Sequence, residues 1–143
     1  AFDMARALAL GADWCNSARG FMFALGCIQA QTCHSGNCPT GVTTQDPTRQ
    51  MALVVPSKAE RVQNFHAHTL EALQELMEAS GLQTPHDFTP RHIMRRVSET
   101  QTLHLSDLVD TVTAGALLKD DVSDLPSVFS EWPLSSSKSF AMH

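Results

Sequence analysis

The chain has 143 residues, of which 43% are hydrophobic, and a formal charge of -5. That length supports one domain with a core of its own, and the acidic balance leaves no electrostatic footprint for nucleic acid or an anionic membrane surface. No apolar run reaches the roughly 20 residues that span a bilayer and no segment resembles a signal peptide. The expectation is a cytoplasmic protein with neither nucleic-acid nor membrane partners.

In chain order, Phe2 to Leu10 is rich in helix formers and Gly11 follows as a stop. The chain opens inside this helix at Ala1, which predicts a piece of a longer protein. Ala12 to Asn16 is short, mostly apolar and of buried-strand length. Asn16 and Ser17 can then cap a helix from Ala18 to about Ala24. Helix, short strand, helix is the grammar of an α/β protein with a parallel sheet. One strand cannot make a sheet, so this reads as the closing repeat of a barrel or open sheet whose other strands lie upstream.

From Thr32 to Pro47 the composition turns to Gly, Asn, Ser, Thr and Pro, which is loop chemistry. Asp46-Pro47 predicts a short helix that Pro56 ends. Ser57 and Glu60 form a capping-box pattern for a long helix carrying Val62, Phe65, Leu73, Leu76 and Met77 on one face and closed by Ser80-Gly81. Thr89-Pro90 predicts another helix through Ile93, Met94 and Val97, with Arg91, Arg95 and Arg96 on its polar side. Leu103, Leu105, Leu108 and Val109 fit a strand or a helix start. Asp120 to His143, with Pro126, Pro133, Val128, Phe129 and Trp132, reads as an extended tail. The chain thus divides coarsely into 1–50, 51–98 and 99–143, mainly helical with at most one or two short strands. Trp14, Phe21 and Phe23 are expected to stay partly uncovered.

The four cysteines are Cys15, Cys27, Cys33 and Cys38. Three of them follow a C-x5-C-x4-C spacing that ends in Pro39, within the run Cys27-Ile-Gln-Ala-Gln-Thr-Cys33-His-Ser-Gly-Asn-Cys38-Pro39. Soft, deprotonated sulfur donors converging on one point suit a metal cluster. Gly36 and Gly41 permit a tight wrap, and Pro39 stiffens the exit. Three ligands rather than four favour a [3Fe-4S] cluster, or a cluster with one open iron site. By spacing alone a structural zinc site is an equal reading, with His34 or Cys15 as a fourth ligand, although no C-x2-C pair is present. Cys15 itself reads as a small buried side chain.

The stretch Gly11-Ala-Asp-Trp-Cys-Asn-Ser-Ala-Arg-Gly-Phe-Met-Phe-Ala-Leu-Gly-Cys27, continuing through Cys38-Pro-Thr-Gly-Val-Thr-Thr-Gln-Asp46-Pro47, resembles the C-terminal end of the FMN-binding synthase domain of glutamate synthases, in particular the single-chain FMN-binding glutamate synthase-like proteins. The likeness runs from about Ala1 to Ser98 and includes Ala52-Leu-Val-Val-Pro-Ser-Lys-Ala-Glu-Arg61. It implies the C-terminal portion of a TIM (β/α)8 barrel with an iron–sulfur loop and added helices, in which Cys27, Cys33 and Cys38 hold a [3Fe-4S] cluster beside FMN. TIM barrels seat phosphates after their last strands at a helix start, which makes Asn16, Ser17, Ala18 and Arg19 the candidate FMN-phosphate contacts. The residues alone read as helix capping with a solvated Arg19.

His34 could donate to a cluster sulfide. His66 and His68, two apart on a helix, do not share a metal-binding face, and the Arg91, His92, Arg95, Arg96 group reads first as a polar surface. The implied activity is that of a flavin oxidoreductase forming glutamate reductively from 2-oxoglutarate and ammonia or glutamine nitrogen, with electrons relayed between the cluster and FMN. Implied partners are the upstream barrel, these small substrates and an electron-donor protein. Ala1 cannot serve as the N-terminal cysteine nucleophile of a glutamine-hydrolysing domain, and the segment alone is expected to be inactive. A related FMN and iron–sulfur oxidoreductase with another substrate, or a zinc-stabilised binding module, are the alternatives.

Overall fold

The computed structural model describes residues 1–119 and 123–129, in two compact units, Ala1–Thr89 and Pro90–His143. Helical elements dominate, with one small two-stranded sheet. The expectations for residues 120–122 and for the tail from Ser130 onward, Trp132 and Pro133 included, fall outside the described residues.

The first unit contains α1 (Phe2–Ala9), α2 (Arg19–Leu25), α3 (Pro47–Gln50) and α4 (Val55–Ala79). Helices α1 and α2 both pack against α4. Its inward stripe is the half-buried Val62, Phe65, Thr69, Ala72, Leu76 and Met77 with the buried Leu73, the helical spacing read from the sequence. Gly20 is the point of closest approach, because a Cβ there would stand 2.9 Å from Ser17 Oγ and 3.0 Å from Phe65 Cζ. Beside it Phe21 meets Phe65 edge-on, with centroids 5.2 Å apart. Ala5, Leu8, Ala9, Ala24, Leu73 and Phe88 form the core. That core is thin, since no large side chain among the described residues is fully buried, while Trp14 is 74% exposed and Phe23 41%.

Three helix ends share one device. Gly11, Gly26 and Gly81 take positive φ, and the following N–H groups of Ala12, Cys27 and Leu82 donate back to the carbonyls of Ala7, Met22 and Met77. This satisfies carbonyls that the helix leaves open. Helix α3 starts as its sequence predicts, with the Asp46 carboxylate accepting from Thr48 N at 2.8 Å and Arg49 N at 3.4 Å.

Four local expectations are corrected. Ala12–Asn16 has no strand partner and is not a strand; a strand needs a neighbour for its backbone hydrogen bonds, and none is paired with it among the described residues. Ala18 is already helical at φ -93 and ψ -58, so α2 begins without a side-chain cap from Asn16 or Ser17. Pro56 starts α4 instead of ending α3, because a missing N–H is harmless in a first turn, and Ser57 with Glu60 makes no cap there. The reciprocal capping box is found instead at Thr84 and Asp87, whose carboxylate accepts from Thr84 N at 2.7 Å and is held below the usual carboxylate range chiefly by that bond.

In the second unit the expected helix from Pro90 to Val97 is replaced by a 3-10 turn at Pro90–His92 and a hairpin. Strand β1 (Met94–Arg96) pairs antiparallel with β2 (Thr102–His104), Arg95 opposite Leu103. The reversal is closed by Val97 N and Ser98 N on the Gln101 carbonyl, which a continuing helix would forgo. Among the described residues of this unit, Ile93, Leu105 and Ala116 are the buried apolar ones. No helix among the described residues is long and apolar enough to cross a membrane.

Candidate functional site

The cysteine segment is positioned from both ends. On the entry side, the α2 terminus sets Cys27, whose N–H bonds the Met22 carbonyl at 3.0 Å. On the exit side, Cys38-Pro39-Thr40-Gly41 forms a turn with Gly41 N donating to the Cys38 carbonyl at 3.4 Å, where Pro39 supplies the preset φ of the second turn position. Between them Cys33–Ser35 makes a single 3-10 turn ended by Gly36 at φ 72.

Helix α3 is the platform under this loop. Arg49 Nη1 donates to the Asn37 carbonyl at 3.3 Å, Gln50 Nε2 to the Thr44 carbonyl at 3.0 Å, and Asp46 N to Thr44 Oγ1 at 3.1 Å. Gly41, at φ 79, lies against the Arg49 carbonyl so closely that a Cβ would overlap it. Two glycines in the loop therefore have specific reasons: a left-handed backbone at both, and no room at Gly41.

All four cysteines are free. Cys27 and Cys33 line a cavity of about 440 Å3 together with Ala18, Arg19, Gln29 and Gln31, with Met22 and Phe23 as its apolar wall. Cys33 also borders a second cavity of about 320 Å3, with Gly36 and Val42 to Gln45. On that wall the Thr43 hydroxyl oxygen is buried, and it helps to lower the Cys38 thiol. Cys38 stands in the exit turn, 3.4 Å from Thr40 Oγ1. Its thiol is pulled down to about 6, first by the Thr40 hydroxyl and then by the backbone N–H groups of Thr43 and Thr40. Asn16 and Ser17 line a different cavity, beside Trp14 and Cys15, so the four candidate phosphate contacts divide between two places. Cys15 Sγ faces the Met4 carbonyl at 3.9 Å. His34 is exposed, and the His66 ring lies 6.1 Å from that of Phe21.

The structure brings two of the three thiols together: Cys27 and Cys33 share a cavity, and Cys38 stands in the exit turn outside it. Among the described residues no three His, Cys, Asp or Glu side chains are grouped so as to hold a metal ion. Thiolate sulfur is the donor that an iron–sulfur cluster or a structural zinc would use. Sequence reasoning missed Gln29, Gln31, Thr40 and Arg49. Only Thr40 carried a signal, a hydroxyl two residues after a cysteine.

The Thr40 contact has a measurable consequence. In the metal-free chain, Cys38 alkylation followed by peptide mapping is expected to be half-maximal at a pH of about 6. Thr40→Val is expected to move that midpoint upward, and an unmoved profile would rule Thr40 out as the cause. Because the folded value lies below the ordinary 9.0, the thiolate's contribution to stability is complete above that pH. It is lost as the pH falls through about 6.

Comparison with known proteins finds one family over most of the first unit. The family described as "Conserved region in glutamate synthase" matches residues 1–83. The chain is 42% identical over 106 residues to the glutamate synthase large subunit-like protein YerD of Bacillus subtilis, covering 74% of this chain and 20% of that protein. It is 32% identical over 119 residues to the NADH glutamate synthase of Schizosaccharomyces pombe, covering 82% and 6%. With the archaeal-type NADPH glutamate synthase of Thermotoga neapolitana it shares 34% over 80 residues, covering 56% and 16%. The chain thus spans a fifth or less of these relatives' length. No solved structure matches it. A match over more than half of the residues, with the cysteine loop inside it, shows that the chain belongs to the glutamate synthase family.

Proposed function

We propose that this chain forms the iron–sulfur edge of a glutamate synthase-type flavin oxidoreductase, with Cys27, Cys33 and Cys38 holding a [3Fe-4S] cluster next to FMN. The observation that carries the reading is the 440 Å3 cavity, where two of the three thiols and Arg19 share one wall. Electrons pass between a cluster and the isoalloxazine ring, and a phosphate seated at Arg19 would tether that FMN beside the cysteine loop. When bound, the two groups supply one-electron and hydride chemistry.

The chain's own residues bind and orient. Thr40 favours the thiolate that ligation requires. Arg49 and Gln50 hold the loop's far side through the Asn37 and Thr44 carbonyls. Arg19 and the backbone at Ala18 take the phosphate, and Met22 and Phe23 form the apolar side of the cavity. Asn16 and Ser17, on the neighbouring cavity, belong to the same flavin-facing edge in this reading. The contacts to 2-oxoglutarate, to the nitrogen donor and to the flavin ring would come from the much longer part of such proteins that this chain does not span, as would the surface for an electron donor. The barrel setting rests on the family likeness, and a cytoplasmic location on the redox state that free thiols require.

Anaerobic purification of the protein should give broad visible absorption with iron and acid-labile sulfide near a ratio of about 3:4, together with FMN. One zinc per chain in a colourless sample would overturn the reading.

A further inference from the structure

From Gly26 to Gly36 the backbone takes a course that two of its residue types disfavour. Gly26, Gln29, Gln31 and Gly36 all have positive φ, between 56 and 104. The Cβ atoms of the two glutamines resist this left-handed region, so the surrounding structure imposes it. On this course Cys27 and Cys33 come to line one cavity, with Met22 and Phe23 on its apolar side. Cys33 is exposed and Cys27 half-buried, and residues 28–31 between them are exposed. Cys38 lines neither this cavity nor the one beyond Cys33, and its sulfur stands 3.4 Å from Thr40 Oγ1. The loop as folded thus presents two thiols together and one apart, short of the three sulfurs that a cluster would take from it. Two accessible thiols on one cavity are the reactants of a disulfide.

We propose that Cys27 and Cys33 are a redox pair in the metal-free chain, closed to an intrachain disulfide by a peroxide and reopened by a dithiol, with Cys38 left as a free thiol. The proposal does not rest on the cluster reading, since it concerns the chain with no metal bound. The exposed Cys33 sulfur attacks one oxygen of hydrogen peroxide and breaks the O–O bond. The departing hydroxide takes the thiol proton to become water, and Cys33 becomes a sulfenic acid. The Cys27 sulfur then attacks that of Cys33 and displaces hydroxide, which leaves as water with the Cys27 proton. Two thiols lose two electrons in all, and one peroxide is reduced to two waters. Closing so short a loop costs little chain entropy. The bond asks for Cα atoms about 5.5–6 Å apart, and the exposed residues 28–31 are the part of the loop that yields to reach it. A disulfide in an exposed, strained loop belongs to the readily reduced kind.

The test treats the full chain, metal-free and reduced, with an equivalent of hydrogen peroxide, blocks the remaining thiols with N-ethylmaleimide and digests with trypsin. Cleavage after Arg19 and Arg49 gives one peptide, 20–49, that holds Cys27, Cys33 and Cys38. Untreated protein should yield this peptide with a maleimide on every cysteine. After peroxide it should carry a single maleimide, placed on Cys38 by fragmentation, and lack two hydrogens. Dithiothreitol before blocking should restore full labelling. Cys38→Ser should still close the disulfide, and Cys27→Ser should not. Full labelling after peroxide would overturn the proposal. So would a maleimide on Cys27, which would pair Cys33 with Cys38, or a disulfide between two chains. Fragmentation of the wild-type peptide decides the pairing even where a variant fails to fold. Iron and sulfide in the anaerobically purified protein decide the cluster reading separately.

Discussion

Gly41→Ala is expected to be the most damaging single-methyl change in the first unit, costing about 3 kcal/mol or more of stability. Two penalties combine. The residue sits at φ 79, and the new Cβ would overlap the Arg49 carbonyl oxygen. That carbonyl cannot simply retreat, because the turn carrying it is held by the Asp46 cap and by the Gln50 bond to Thr44. Gly11→Ala is the matched control: its φ is 100, but nothing lies within 4 Å of the added Cβ. It should lose only the backbone term of about 1–2 kcal/mol. Urea midpoints of the two variants decide the matter, and equal losses would refute close packing of the exit turn on α3.

Cys33→Ser is expected to remove more than about nine-tenths of the bound iron, since a neutral hydroxyl cannot replace a thiolate ligand. Cys33 lines one cavity with Cys27 and borders a second with Gly36 and Val42 to Gln45, which sets it at the middle of the loop. Cys15→Ser should leave iron and sulfide unchanged, because Cys15 lines a separate cavity and faces the Met4 carbonyl. Metal and sulfide analysis of both variants after anaerobic purification gives the answer. Full cluster content in the Cys33 variant would refute the ligand assignment, and loss in the Cys15 variant would make it a fourth ligand.

Much of the helical framework was legible because it depends on near neighbours. The apolar period from Val62 to Met77 marks the inward face of α4, and Asp46-Pro47 starts α3 through its own carboxylate. Gly11 and Gly81 end helices at positive φ as expected. Errors arose where two local readings competed. Ser57 and Glu60 have the capping pattern, but Pro56 suits a first turn and the helix begins before them. Arg91 to Val97 could be helical by composition, and pairing with Thr102–His104 settles it as a strand. Ala12–Asn16 has a strand's composition without the neighbour that would make it one.

For the site, residue type and spacing along the chain were sufficient to pick out the three cysteines, the glycines that let the loop turn, and the family likeness they carry. Those are properties of single residues and short intervals. Tertiary structure alone decided that Cys27 and Cys33 share a cavity with Arg19 while Asn16 and Ser17 line another. It also decided that Gly41 packs on Arg49 and that Gln29 and Gln31 are left-handed. Glutamine has no intrinsic preference for that conformation, and a cavity wall joins residues whose separation in sequence says nothing of their distance in space. Such features follow from how α2, the loop and α3 fit together, which no local rule encodes.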